Sequence, residues 1–175
     1  MKRIFILLAL PFLLVAGNLK LVSGKIKAHT EVMGDTTIDP STTKISTKLT
    51  IARDITSIKG KIYINAKSLV SDNSSRDEHM YETLKVANFK TISYTINSIK
   101  ASTNGKYKLI GKLNFAGKTK PLSVNASITK KGSNISLNSN FSIKLTSYGL
   151  TPPKILFLSV RDKIDIAINL KLKAR

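Results

Sequence analysis

The stretch Ile135-Ser136-Leu137-Asn138-Ser139-Asn140-Phe141-Ser142-Ile143-Lys144-Leu145 alternates between apolar or small residues and polar ones along its whole length. In an extended chain successive side chains point to opposite faces, so Ile135, Leu137, Ser139, Phe141, Ile143 and Leu145 share one side. A helix would scatter them around its axis. The segment reads as a half-buried strand with its odd-numbered positions turned to a core.

The same period recurs on either side. Ile62, Ile64 and Ala66 form one apolar face, as do Tyr107, Leu109, Gly111, Leu113 and Phe115. Leu122, Val124, Ala126 and Ile128 form another, followed by Ile164, Ile166, Ile168, Leu170 and Leu172. Weaker alternation over Lys25 to Val32, Lys44 to Ile51 and Thr91 to Ile99 brings the total to about eight strands, the spacing of an all-β sandwich or barrel. Turn chemistry agrees: Asn104-Gly105, Ala116-Gly117-Lys118 and Lys131-Gly132-Ser133-Asn134 each read as a hairpin loop, so consecutive strands should pair antiparallel. One segment departs from the rule. Ser75-Arg76-Asp77-Glu78 has the spacing of a capping box, which predicts a short helix from Ser75 to about Ala87 lying across one end of the β structure.

Alternation does not say which way the apolar faces point, but charge does. The chain of 175 residues carries 29 Lys+Arg against 10 Asp+Glu, a formal charge of +19. An eight-stranded barrel has room inside only for side chains or one small ligand. The Lys residues that alternate with the apolar positions must therefore face water, which excludes the lipid-facing arrangement of an outer-membrane barrel. Between Glu82 and Asp162 no Asp or Glu occurs, while twelve Lys and Arg161 do. That acid-free face is either a basic surface for anionic envelope material or phospholipid, or the by-product of a Lys-rich composition. Nucleic acid is disfavoured, because few Arg and no basic run with stacking aromatics are present.

Met1-Lys2-Arg3 followed by the uncharged run Ile4 to Ala16 has the layout of a secretory signal peptide, with small residues for cleavage at Gly17 or at Ser23-Gly24. Residues 1–24 are thus read as the leader and 25–175 as a single exported domain, in the periplasm or secreted. Zero Cys removes disulfides and thiol chemistry, and the two His, at positions 29 and 79, offer little to a metal. No phosphate loop, zinc helix or nucleophile elbow is present, so the chain is read as a non-enzyme without a cofactor. Asp77 and His79 could suggest a general base, but no nucleophile accompanies them.

Two motifs carry a resemblance. Arg76-Asp77-Glu78-His79-Met80 matches R-D-x-H-[ML], and Gly111-Lys112-Leu113-Asn114-Phe115-Ala116-Gly117-Lys118-Thr119-Lys120-Pro121 matches G-x-L-x-x-x-G-x-T-K-P. With Val160-Arg161-Asp162-Lys163-Ile164 they make Lys25 to Lys173 resemble the YceI-like family of bacterial lipid-binding proteins. The resemblance implies a lipocalin-like antiparallel barrel whose apolar tunnel holds a polyisoprenoid, an isoprenoid quinone or a fatty-acid-like amphiphile. Ile62, Ile64, Leu109, Leu113, Phe115, Val124, Phe141, Ile143 and Ile166 would line that tunnel. Arg76, Asp77, His79, Met80 and Leu84 would stand at its mouth with Leu156 and Phe157, which belong to the apolar run Ile155 to Leu158 in a proline-bearing loop. That run is either a lip that meets a membrane or a plug over the barrel end. The residues alone leave two outcomes: a hollow barrel that carries a lipid, or a filled barrel acting as a surface adaptor through its Lys-rich face.

Overall fold

The computed structural model describes residues 16–32, 36–155 and 158–175. The leader run up to Val15, together with Leu156 and Phe157, lies outside the described residues.

The chain runs through β1 (Gly17–Val32), β2 (Thr36–Ile38), β3 (Ser41–Thr42), β4 (Ile45–Ile51), β5 (Lys59–Asn65), α1 (Ser74–Thr83), β6 (Thr91–Ala101), β7 (Lys106–Phe115), β8 (Lys118–Lys131) and β9 (Asn134–Lys144). It ends with β10 (Lys154–Ile155), β11 (Leu158–Ser159) and β12 (Lys163–Ala174). The long strands pair antiparallel in the order β12-β9-β8-β7-β6-β5-β4-β1, and β1 closes the ring on β12 from Leu19↔Ala174 to His29↔Asp165. The result is a closed eight-stranded up-and-down barrel. The expected hairpins form. Asn104 and Gly105 both take positive φ, at 56° and 68°, as do Ala116 and Gly117, at 47° and 77°. Positive φ at both central residues matches the right-handed twist of the flanking strands.

Two strands carry bulges. In β1 the register shifts between Leu21 and Ser23, and in β6 between Ile96 and Ser98. An extra residue reverses the phase of a strand. Leu19 and Leu21 therefore face the same side as Ile26 and Ala28, and Ile96 the same side as Ile99. The first strand accordingly starts at Gly17, not at Lys25, and Leu19 is a core residue at 4 % exposure.

The helix is shifted from its expected position. Asn73 caps it, its side-chain oxygen accepting from the Arg76 amide at 3.0 Å, and the Ser75–Glu78 capping box is not used. The helix stops at Thr83 because Lys85 takes the left-handed conformation at φ 53°, with Lys85 N–H donating to the Glu82 carbonyl and Val86 N–H to the Tyr81 carbonyl. That pair of bonds is a Schellman closure. Tyr81 ties the helix down, its hydroxyl donating to the Leu69 carbonyl at 2.7 Å.

Above Ala126↔Ser139 the strands β8 and β9 part, since their pairing covers only Ala126–Lys131 with Asn134–Ser139. Pro121 is therefore tolerated within β8, paired on one side only. The turn Thr146–Tyr148 closes this end, burying Tyr148 and Leu150, with the Tyr148 ring edge-on to Phe115 at 5.3 Å. Tyr148 and Leu150 thus cover this end. Further along, β10 and β11 make a separate two-stranded hairpin, and Leu158 is half exposed.

Candidate functional site

The barrel interior has two different halves. At one end Leu19, Leu49, Ile51, Ile58, Ile99, Ile128, Ile135 and Leu172 are buried against one another. At the other end Leu84, Val86, Phe115, Leu145, Tyr148 and Leu150 form a second cluster. A cavity of about 590 Å³ lies among the inward side chains between them, within the ~300–1,000 Å³ of small-molecule sites.

One strand shows the boundary. Along the inward face of β12, Leu170 and Leu172 are each 2 % exposed, whereas Ile164, Ile166 and Ile168 stay only partly buried. Their free surface is turned to the cavity, which all three line. Phe141, Ile92, Tyr94, Ile26 and Met80 behave in the same way. Apolar side chains packed on the core clusters on one side and turned to open interior space on the other mark room that another apolar body can fill.

The structure places Ile62, Ile64, Leu109, Leu113, Phe115, Val124, Phe141, Ile143 and Ile166 on the cavity wall, with Arg76, His79, Met80 and Leu84 also lining it. Asp77 departs from its expected place at the mouth. It faces away from the cavity, 7 % exposed, and its carboxylate accepts the Ser71 amide at 3.0 and 3.1 Å. A buried carboxylate needs such donors, and tying down the loop before α1 supplies them. Asp77 is a fastener of the helix, apart from His79 at the rim. Ile26, Ala28, Ile92 and Tyr94 line the cavity without having been singled out. Both pairs lie on strands that carry a bulge, where simple alternation loses phase.

Tyr94 has its own signal in the sequence, the inward Gly111. A Cβ there would come within 2.1 Å of the Thr95 carbonyl and 2.9 Å of the Tyr94 ring. The absent side chain lets Tyr94 lie across β7, its hydroxyl 2.9 Å from the Leu122 carbonyl and 3.2 Å from that of Leu109. Burial pushes this phenol up to about 12, so it remains a neutral donor.

Polar groups gather at the rim. His29 and Thr30 of β1, Arg76, His79, Glu82 and Thr83 of α1, and Lys154 of β10 line the cavity on that side. The rim is held by an ion-pair chain. His29 Nδ1 lies 2.7 Å from Asp39 and Nε2 3.1 Å from Glu31; Lys27 adds a contact to Asp39 at 3.3 Å. Arg161 bridges Glu31 at 3.5 Å to Asp165 at 2.6 Å, and Lys163 also meets Asp165. The bonds to Asp39 first and Glu31 second raise the His29 pKa, and the bond to His29 lowers that of Asp39. Among the described residues no group of His, Asp and Glu is placed to hold a metal ion.

Comparison with known proteins places this architecture. A UPF0312 protein of Yersinia enterocolitica is 28 % identical over 101 residues, covering 53 % of this chain and 52 % of that protein. The chain spans about half the length of the UPF0312 relatives it matches. Among solved structures, BcnA of Burkholderia cenocepacia superimposes with a TM-score of 0.74 at 15 % identity, over 85 % of this chain and 95 % of that one. A polyisoprenoid binding domain from Saccharophagus degradans gives 0.71 at 10 % identity, over 90 % and 98 %. The Campylobacter jejuni YceI protein gives 0.60 at 19 % identity, over 75 % and 81 %. At these identities the likeness is one of fold. A family model, the YceI-like domain, matches residues 17–172, nearly the whole described chain, and on that match this protein belongs to the YceI-like family.

Proposed function

We propose that this chain is an exported carrier that encloses the apolar tail of an isoprenoid or related long-chain lipid in its barrel. The observation that carries this reading is the run of inward, half-buried Ile164, Ile166, Ile168 and Phe141 around an apolar space of about 590 Å³. The filled-barrel alternative does not accommodate that space. The Saccharophagus degradans domain of the same fold, described as polyisoprenoid-binding, supports the same ligand class.

The mechanism is burial. The cavity equals about twenty liquid waters in volume at ~30 Å³ each, and a methylene occupies a similar volume. At ~0.8 kcal/mol per buried CH2, each pair of carbons adds ~1.6 kcal/mol, about fifteenfold in affinity. Affinity should therefore climb with tail length to about twenty carbons and then level off. The head group stays at the rim with Arg76, His79 and Lys154. Lys side chains around the barrel would favour collection from anionic bilayers, an attraction that salt should weaken.

Export would use the leader before Gly17. Of the two small-residue positions, a cut after Gly17 keeps Leu19 paired with Ala174 and Leu49, whereas a cut at Gly24 removes Leu19. Intact mass of the exported protein distinguishes the two. The carrier reading is tested by organic extraction and mass spectrometry of the purified protein: a stoichiometric long-chain lipid is expected. An empty extract, together with no chain-length dependence in titrations with prenols, would overturn it.

A further inference from the structure

The molecule has a second concave site that the lipid reading does not use. It lies on the outer surface of β5 to β8, a groove of about 660 Å³ with no apolar side chain in its lining. Strand register sets its layout. Lys61 on β5 pairs with Thr95 on β6, which pairs with Lys112 on β7, so two ammonium groups flank a hydroxyl in one row. At ~4.8 Å per strand their Cα atoms stand about 10 Å apart. The next row runs Ser93–Asn114–Thr119, in which the Asn114 amide donates to the Thr119 hydroxyl at 2.8 Å. The bulge at Asn97 bends β6 beside these rows. Ser93 of this row is 7 % exposed, covered by its neighbours.

Its electrostatics are one-sided. The strands β5, β6, β7, β8 and β9 themselves contain no Asp or Glu. Among the described residues the ion pairs all lie in the network at the cavity rim, on β1, the segment after β2, and β12 with the loop before it. Lys61 and Lys112 are exposed and have no carboxylate on their own or adjoining strands.

We propose that this groove docks an anionic polysaccharide chain, the lysines taking its charged groups and the Thr and Asn side chains its hydroxyls. A groove lined by Lys, Thr and Asn side chains can hold an extended polymer by its charged groups and hydroxyls. A bilayer calls for an apolar insertion surface, and single-stranded nucleic acid calls for stacking aromatics, neither of which lines the groove. The inference is independent of the lipid in the barrel and would tether a carrier to the polymer layer outside a membrane.

The test uses the full exported protein and polygalacturonate, with neutral dextran and phosphatidylglycerol vesicles as comparators, at low ionic strength. Lys61→Ala/Lys112→Ala should weaken polygalacturonate binding about tenfold or more. Lys130→Ala/Lys131→Ala, which removes the same charge from the β8–β9 hairpin, should cost under about threefold. Thr95→Val should weaken binding without any change in net charge, and dextran should not bind. Lipid content and melting temperature should be the same in all variants. Equal losses from both lysine pairs, no binding of polygalacturonate, or vesicle binding that alone depends on Lys61 and Lys112 would each overturn the proposal.

Discussion

Ile166 and Leu170 lie on the same face of the same strand, four residues apart, yet they should respond differently to truncation. Leu170 is 2 % exposed among packed neighbours. Leu170→Ala removes three carbons and leaves a hole, a change that costs ~2–5 kcal/mol in filled cores. For a domain of this size each kcal/mol lowers the melting temperature by ~2–4 °C, so a drop on the order of 10 °C is expected. Ile166 already borders open space. Its truncation enlarges an existing cavity and forfeits only the part of its surface that touches protein, ~1 kcal/mol on an area basis. In a ligand-bound sample the order should invert for affinity: Ile166→Ala loses contacts to the tail, and Leu170→Ala loses few. The assay is urea unfolding of delipidated protein, read at constant m-value, with prenol titrations in parallel. If Ile166→Ala costs as much as Leu170→Ala without lipid, the wall is packed and the reasoning fails.

Other expectations follow from particular contacts. The raised pKa of His29 means that its protonated form is stabilised by Asp39 and Glu31. That contribution is complete below the unfolded value of ~6.5 and is lost as pH rises through the higher folded value. The lowered pKa of Asp39 makes its contribution fade as pH falls through the acid range. The pair is therefore strongest between about pH 4 and 6.5, and His29→Gln should flatten the melting-temperature profile on the neutral side; parallel profiles would contradict this. Gly111→Val must displace the Thr95 carbonyl or the Tyr94 ring, so a loss of ~2–4 kcal/mol or failure to fold is expected in denaturant melts, and a near-neutral result would refute the close approach. Asp77→Ala strands the Ser71 amide and should cost ~1–3 kcal/mol while leaving the prenol chain-length preference unchanged. A shifted preference would place Asp77 at the mouth after all.

The fold was legible where the chain obeys one period. From Ile135 to Leu145 and from Ile164 to Leu172 nothing interrupts alternation, and Ile135 to Lys144 and Ile164 to Leu172 are strands with the expected faces inward. Legibility failed at Val22 and Asn97, where single bulged residues invert the phase and hide Leu19, Ile26 and Tyr94 from a periodic reading. The helix was found, but Asn73 outcompeted Ser75 as its cap. Cavity-wall residues could be named because inward direction is local information. The cavity itself could not be read from the residues, since whether inward side chains meet across a barrel depends on closure, stagger and the depth reached by each layer. Asp77 illustrates the same limit: its place in the R-D-x-H motif is readable, but the Ser71 amide that turns it away from the mouth is a tertiary contact.

The most direct measurement is a crystal structure of the delipidated protein soaked with a twenty-carbon prenol. Continuous tubular density bounded by Ile166, Phe141 and Tyr94, with the alcohol near Arg76 and His79, is the expected result. Those side chains meeting one another across the barrel, with no density between them, would contradict the lipid-carrier account.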